Sequence, residues 1–384
     1  MKLDQSSLKV KVPFFSHSIT NDDKKSISRA LDSNLLTDGP ILRQFEQKFA
    51  EFTDATHAVG TSNATSALYL ALRSVGIREG DEVIIPNITF VATANAVLQT
   101  GAKPILADVD YETMNISHSE IIKKINKKTR AIIPVHLAGK SCDMETILKI
   151  AKRFRLKIIE DCAHAIGTKY KNKHVGTFGD VGCFSFYPTK NMTTIEGGMA
   201  ITNSEKIAEY IRVARNHGIN RNLMQRYSKK KPWEYDVKEV GYNFRLDEIR
   251  SALGLSQLKR IDHINKQRRQ IYEFYNRHLR KISGIALPSD SNIETNSHHL
   301  YIIKITESCK ISRDEMYEGL LKHGIQTTIH YKPLNHFTVL KKESSKSSFP
   351  NSEILYKQCL SLPFYPGISK TQLEYVIKTL HKLT

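Results

Sequence analysis

Cysteine is scarce in this 384-residue chain, with five residues, Cys142, Cys162, Cys183, Cys309 and Cys359, odd in number and widely scattered. That pattern excludes a disulfide framework and paired Cys-x-x-Cys zinc ligands, and it predicts buried free thiols and no metal site. Long apolar runs are missing too. No uninterrupted stretch approaches the roughly 18 residues that a membrane-spanning helix requires, and residues 1–7 hold no apolar segment of the secretory kind. A cytoplasmic protein without a membrane partner is expected. Acidic residues fall short of basic ones, 39 against 57, which leaves a net charge of +18. Such an excess suits nucleic acid, an anionic membrane surface or anionic small ligands. The lysines, however, are spread along the whole chain. The densest runs, residues 228–232 and 341–346, are short and carry no helix-turn-helix, zinc-finger or RNP signature. No nucleic-acid partner is expected. Also missing is any Gly-x-Gly-x-x-Gly after a strand, so a dinucleotide site is unsupported. Gly139-Lys140-Ser141 ends like a phosphate loop, but Pro134 stands where its leading glycine belongs.

What is present is a regular alternation. Hydrophobic residues make up 40% of the chain, enough at this length for two full cores, and a division into residues 1–255 and 256–384 is expected. Residues 21–31 and 42–52 have helical spacing, with a turn cluster at 34–40 between them. Short apolar strands at 57–60, 82–86, 104–109, 131–135 and 157–161 then alternate with helices at 62–75, 90–99, 119–127 and 144–154. This rhythm predicts an α/β fold whose mainly parallel sheet is covered on both faces, with ligands at the carboxyl ends of the strands. From Arg245 the pattern changes. Leu246, Ile249, Leu253, Leu258 and Ile261 form one stripe of a long helix leading into a smaller C-terminal α+β domain, with strands at 299–304 and 327–330 and a polar loop at 341–348.

One lysine stands out. Residues 184–187 read as a buried strand ended by Pro188, which donates no ladder hydrogen bond, and Lys190 follows directly. Gly197-Gly198 then turns the chain into a second apolar run at 199–202, so the lysine is held between two strands. A lysine held near apolar surface loses solvation, its pKa falls, and its amine condenses with carbonyls. A solvated loop lysine is the ordinary alternative, and four further features weigh against it. Asp161 ends an apolar strand, where an acid holds a ring nitrogen protonated. Residues 62–66 open a helix straight after a strand, placing backbone N–H groups and a hydroxyl for a phosphate, although N-capping by Ser62 explains the same residues. Ser185 offers a second hydroxyl. Phe90 offers a stacking face, or plain core. Together they describe a pocket for pyridoxal 5'-phosphate.

The ordered set Leu36-Thr-Asp-Gly-Pro40, Asn63-Ala-Thr-Ser-Ala-Leu68, Thr89-Phe-Val-Ala-Thr-Ala-Asn95, Glu160-Asp-Cys-Ala-His-Ala165, Phe184-Ser-Phe-Tyr-Pro-Thr-Lys190-Asn191, Glu196-Gly-Gly198, Gly241-Tyr-Asn-Phe-Arg-Leu246 and His330-Tyr-Lys-Pro333 resembles the DegT/DnrJ/StrS family of nucleotide-sugar aminotransferases, nearly end to end. Within that family the segments Ala138-Gly-Lys-Ser141, Ser251 to Lys259 and His330 to Pro333 are most similar to the PseC-type branch, which acts on a UDP-linked 4-keto sugar. The resemblance implies the fold-type-I, aspartate-aminotransferase-like architecture of PLP-dependent transferases, working as a homodimer with L-glutamate as amino donor. It implies that Lys190 links covalently to the cofactor, Asp161 pairs with the pyridine nitrogen, and Phe90 stacks on the ring. His164 would lie near the ring hydroxyl, Ala64, Thr65 and Ser185 would bind phosphate, and Asn243 would reach the phosphate from the neighbouring subunit. Asn34, Leu35, Leu36, Thr37, His330, Tyr331 and Lys332 fall where the family contacts the sugar nucleotide. Members that dehydrate sugars carry histidine at the lysine position, which Lys190 argues against. The rival readings are dTDP- or GDP-linked keto-sugar enzymes and, in another class, a non-enzymatic regulator, which predicts a fused DNA-binding segment that the sequence does not show.

Overall fold

Strands of a parallel sheet are buried on both faces, and successive side chains here divide between two cores. Val83, Ile85 and Ile159 enter one cluster with Leu68, Leu72, Val97 and Ile211, while Ile84 and Ile158 enter another with Ile147 and Ile150. The computed structural model describes residues 9–219, 233–237, 239–289, 295–344 and 347–384, and the basic run at 228–232 lies outside them. The elements run α1 (Asn21–Leu31), α2 (Pro40–Thr53), β1 (His57–Thr61), α3 (Ala64–Ser74), β2 (Glu82–Pro86), α4 (Ala92–Gln99), β3 (Lys103–Ala107), α5 (His118–Lys124), β4 (Thr129–Ile132), α6 (Met144–Phe154) and β5 (Lys157–Asp161). A small hairpin, β6 (Lys169–Tyr170) and β7 (Lys173–His174), precedes β8 (Val181–Ser185), β9 (Gly198–Thr202) and α7 (Glu205–Ala214).

The seven-stranded sheet has the order β1-β9-β8-β5-β4-β2-β3. Its pairs are parallel from β8 through to β3, and β9 runs antiparallel to both β8 and β1. The α/β, mainly parallel expectation holds. The strand before the lysine ends at Ser185 rather than at Tyr187. Tyr187 turns its carbonyl to the amide of Lys190 at 2.9 Å, which takes it out of the ladder before Pro188 is reached.

The long helix expected from Arg245 is two helices, α8 (Glu248–Leu258) and α9 (Ile261–Leu279). Arg260 leaves helical geometry at φ −122°, ψ 14°, and its guanidinium reaches the buried carboxylate of Asp23 in α1 at 2.7 Å. Leu246 precedes the helix, which Asp247 caps through the amide of Arg250. Beyond it lie β10 (Ile285–Ala286), β11 (Ile302–Ile305), α10 (Arg313–Lys322), α11 (Thr338–Ser344), α12 (Pro350–Gln358), β12 (Cys359–Ser361) and α13 (Lys370–Leu383). Strands β10, β11 and β12 form a separate antiparallel sheet over a cluster that includes Tyr275, Tyr301, Met316, Leu360 and Leu380. The strand expected at 299–304 is therefore shifted to Ile302–Ile305. That at 327–330 shrinks to one bridge from Thr328 to Ser361, because the chain then bends away. The polar loop at 341–348 begins instead as the end of α11. We propose that the chain divides after residue 255, with Val12 of the N-terminal arm buried against the C-terminal cluster through its bridge to Ile325.

Candidate active site

Strand order brings the candidate residues to one end of the sheet. Asp161 is the last residue of β5 and registers with Cys183 of β8, whose own last residue is Ser185. Ser185 registers with Gly198 of β9, and Gly198 registers on its other side with Thr61, the end of β1. The chain leaves β1 through Ser62 and enters α3 at Ala64. The N-cap is Asn63 rather than Ser62: its side-chain oxygen accepts the Ser66 amide at 2.8 Å. A Cβ on Gly198 would stand 2.4 Å from the Asn63 carbonyl carbon, so only glycine lets β9 pass the helix entrance this closely. The first-turn amides of Ala64 and Thr65 have no partner inside their helix, and they sit beside Ser185 with the positive end of the helix dipole behind them.

Asp161 is 5% exposed. One carboxylate oxygen accepts the hydroxyl of Thr93 at 2.8 Å and the other the amide of Ala163 at 3.1 Å. Burial raises its pKa, and those two hydrogen bonds together with the Lys190 charge offset only part of that. Lys190 is shifted the opposite way. Desolvation lowers its amine to about 8, with Asp161 opposing.

His164 is buried between a ring and a hydroxyl, with the His299 imidazole at 4.4 Å and the Tyr331 hydroxyl 3.1 Å from Nε2. Burial, and then the charge on Lys190, hold it well below the usual histidine range. His330 donates to or accepts from the Ser361 hydroxyl at 2.8 Å, and burial pushes its pKa down to about 3. Tyr331 faces Phe90 with ring centres 5.9 Å apart, and Phe90 is 58% exposed. Lys190, Asp161, His164, Phe90, Ser185, Ala64, Thr65, His330 and Tyr331 thus share one neighbourhood. Lys332 points outward, its ammonium 5.0 Å from the Phe337 ring centre. Asn34, Leu35, Leu36 and Thr37 lie along the start of α8, where the Leu36 carbonyl accepts the Glu248 amide at 3.0 Å. Asn243 is exposed, next to Phe244, whose carbonyl accepts the Ser62 amide at 2.8 Å.

Residues 17–381 match the DegT/DnrJ/EryC1/StrS aminotransferase family. The chain belongs to that family. It is 38% identical over 376 residues to the spore coat polysaccharide biosynthesis protein SpsC of Bacillus subtilis strain 168, covering 97% of each chain. Among solved structures it superposes on Helicobacter pylori PseC, an aminotransferase of pseudaminic acid biosynthesis, with a TM-score of 0.90 and 32% identity over 97% of this chain and 98% of that one. The PLP form of the putative sugar aminotransferase Spr1654 of Streptococcus pneumoniae gives 0.88 and 28%, over 97% and 98%. The chain is accordingly a PLP-dependent sugar aminotransferase of the PLP-dependent transferase fold.

The residues present fit that cofactor. A carboxylate buried beyond its ordinary pKa calls for a cationic N–H partner, such as a protonated pyridine. The exposed Phe90 face, the free first-turn amides of α3 and the depressed lysine complete the set. Three contributors to the site carry no role in the sequence reading. Thr93 lies one helical turn after Phe90, in a motif that was legible, but its contact with Asp161 spans 68 residues. Asn191 and His299 are joined at 3.1 Å across 108 residues, which no local pattern signals. On the far face of β5, the buried donors His136, Glu160 and Cys162 lie within 4.8 Å of one another. Glu160 accepts the amides of Gly176, Phe178 and Gly179 and pairs with His136 Nε2 at 3.0 Å, while His136 Nδ1 accepts the Cys142 amide. Burial and the neighbouring carboxylates keep the Cys162 thiol protonated. The cluster is a polar clamp behind Asp161, with both Glu160 oxygens and both His136 nitrogens engaged in hydrogen bonds.

Among the described residues no helix is long and apolar enough to cross a membrane.

Proposed function

We propose that this aminotransferase moves an amino group from L-glutamate to the 4-keto carbon of a UDP-linked 4-keto-6-deoxy-N-acetylhexosamine, in the cytoplasm, for a bacterial surface glycan or nonulosonic acid. The observation that supports the reading is the seating of His330 and Tyr331, two residues of the His330-Tyr331-Lys332-Pro333 motif, beside Phe90, His164 and Lys190. Likeness to PseC over 97% of the chain supports the sugar class. When bound, PLP supplies an electron sink that lets a carbon-bound proton leave. Lys190 Nζ, as a free amine, would take the proton from the α-carbon of the donor and return it in the second half of the transfer. Asp161 would keep the proton on the ring nitrogen. Ala64, Thr65 and Ser185 would hold the phosphate, and Phe90 would offer its face to the ring.

The pyridoxamine form prepared with L-glutamate, mixed with a panel of nucleotide keto sugars, tests the substrate. Return of the near-visible band with the UDP-4-keto sugar is expected. Return only with a dTDP or GDP sugar moves the enzyme to another pathway, and no band after incubation with PLP leaves only a non-catalytic role.

We further propose a homodimer in which Asn34 to Thr37 and Asn243 of the partner subunit complete each site. The exposure of Asn34, Leu36 and Asn243 in a single chain, away from the hydrogen bonds around Lys190, supports this. A mixture of Lys190→Ala and Asn243→Ala chains should then show more turnover than either variant does by itself, since one site of each mixed dimer is intact. A mixture no more active than the separate variants refutes the shared site.

A further inference from the structure

The hydrogen bonds around His164 determine where its proton sits. Asn191 Nδ2 donates to the Ser297 carbonyl at 2.7 Å and to Asn265 Oδ1 at 2.8 Å. A carbonyl only accepts, so the orientation of the Asn191 amide is settled and its oxygen faces His299 Nδ1 at 3.1 Å. His299 therefore carries its proton on Nδ1. Its ring lies 4.4 Å from His164, and its backbone amide donates to the Ala138 carbonyl at 2.9 Å. Ala138 is held at φ 57°, in the left-handed region that non-glycine residues rarely adopt, and from there it aims its own N–H at His164 Nδ1, 3.3 Å away.

An Nδ1 that accepts leaves the neutral His164 ring with its proton on Nε2, facing the Tyr331 oxygen at 3.1 Å. Both rings are neutral. Burial is the first cause for each, and the Lys190 charge pushes both the same way, with Arg268 adding to it at His299. Arg268 also cradles the segment from below, donating to the His299 carbonyl at 3.1 Å. With Nε2–H donating to it, the Tyr331 oxygen is an acceptor on that side, and its own proton is left to donate elsewhere. The opposite His164 tautomer would consume that proton.

We infer that His299, held by Asn191, is a positioning residue that keeps Ala138 in place with its N–H on His164 Nδ1, and so fixes the tautomer of His164 and makes the Tyr331 hydroxyl a hydrogen-bond donor to the keto oxygen of the acceptor sugar. The inference rests on the keto-sugar reading for the identity of the acceptor, but the proton arrangement stands without it. A donor aimed at an oxygen on which negative charge develops stabilises the transition state more than the ground state.

Nitrogen-15 spectra of histidine-labelled protein without cofactor test the arrangement, with His164→Gln used to assign the signal. The wild type should show His164 protonated on Nε2 alone, without titration between pH 6 and 9. His299→Leu should give a mixture of tautomers, and His299→Gln, whose amide can still donate to Asn191, should restore one. In single turnovers with the keto sugar, Tyr331→Phe should lose about 10²-fold in rate and His299→Leu about tenfold. The double variant should be no slower than Tyr331→Phe. A wild-type His164 protonated on Nδ1, a tautomer unmoved by His299→Leu, or losses that multiply in the double variant each overturn the inference. If another keto sugar proves to be the substrate, the spectra are unaffected.

Discussion

Lys190→Ala is expected to lose covalent attachment of PLP and turnover together, by on the order of 10⁴-fold or more, since one side chain supplies both the nucleophile and the proton carrier. Turnover retained within tenfold of wild type would sink the mechanism. The same residue predicts a pH dependence whose sign follows from its environment. Desolvation holds the Lys190 amine near pH 8, well below an ordinary lysine. Only the uncharged amine attacks a carbonyl, so the rate of PLP uptake by the apoenzyme should fall about tenfold per pH unit below 8 and level off above it. Stopped-flow absorbance across pH 6 to 10.5 reads this directly. A rate still climbing steadily to pH 10 would mean that the lysine is solvated after all.

Why the lysine was legible, and its neighbours less so, follows from the range of the interactions involved. Elements bounded by local signals read well from sequence. Helix α6 begins where Asp143 accepts the Thr146 amide three residues on, and β5 is an apolar run ended by its acid. The break between α8 and α9 has no such local cause, because Arg260 is drawn out of the helix by Asp23, 237 residues earlier. Strand β12 and the bridge at Thr328 are too short to show a period, and they exist only by pairing with each other and with β11. At the site, Asp161, Phe90, Ser185 and the α3 entrance announce themselves by their place at strand and helix ends. Ser62 and Asn63 are both capping residues, so the one-residue choice between them is made by the approach of Gly198 rather than by type. Thr93, Asn191 and His299 acquire their roles only through contacts that the fold creates.

Asp161→Asn separates what the site does from what it costs the fold. Asparagine has the same shape, and it keeps both local contacts by turning its amide toward the Thr93 hydroxyl and its oxygen toward the Ala163 amide. What it lacks is the negative charge that holds a proton on a pyridine nitrogen, so kcat should fall by about 10³-fold or more while PLP still binds. An active variant would show that another acid serves the ring. The effect on the apoenzyme should have the opposite sign. Burial raises the folded-state pKa of Asp161 above its unfolded value, so the folded chain holds that proton more tightly. The associated penalty therefore appears as pH rises past the unfolded value near 4 and is complete only above the raised folded-state value. Removing the charge should raise the apoenzyme Tm at pH 7 and leave it little changed at the acid end of the folding range. A lower Tm at pH 7 would mean that the carboxylate is already satisfied within the chain, and that its burial is not a cost met by the cofactor. An acid that destabilises the empty site and is required in the filled one is the trade expected where a fold stores charge for a ligand.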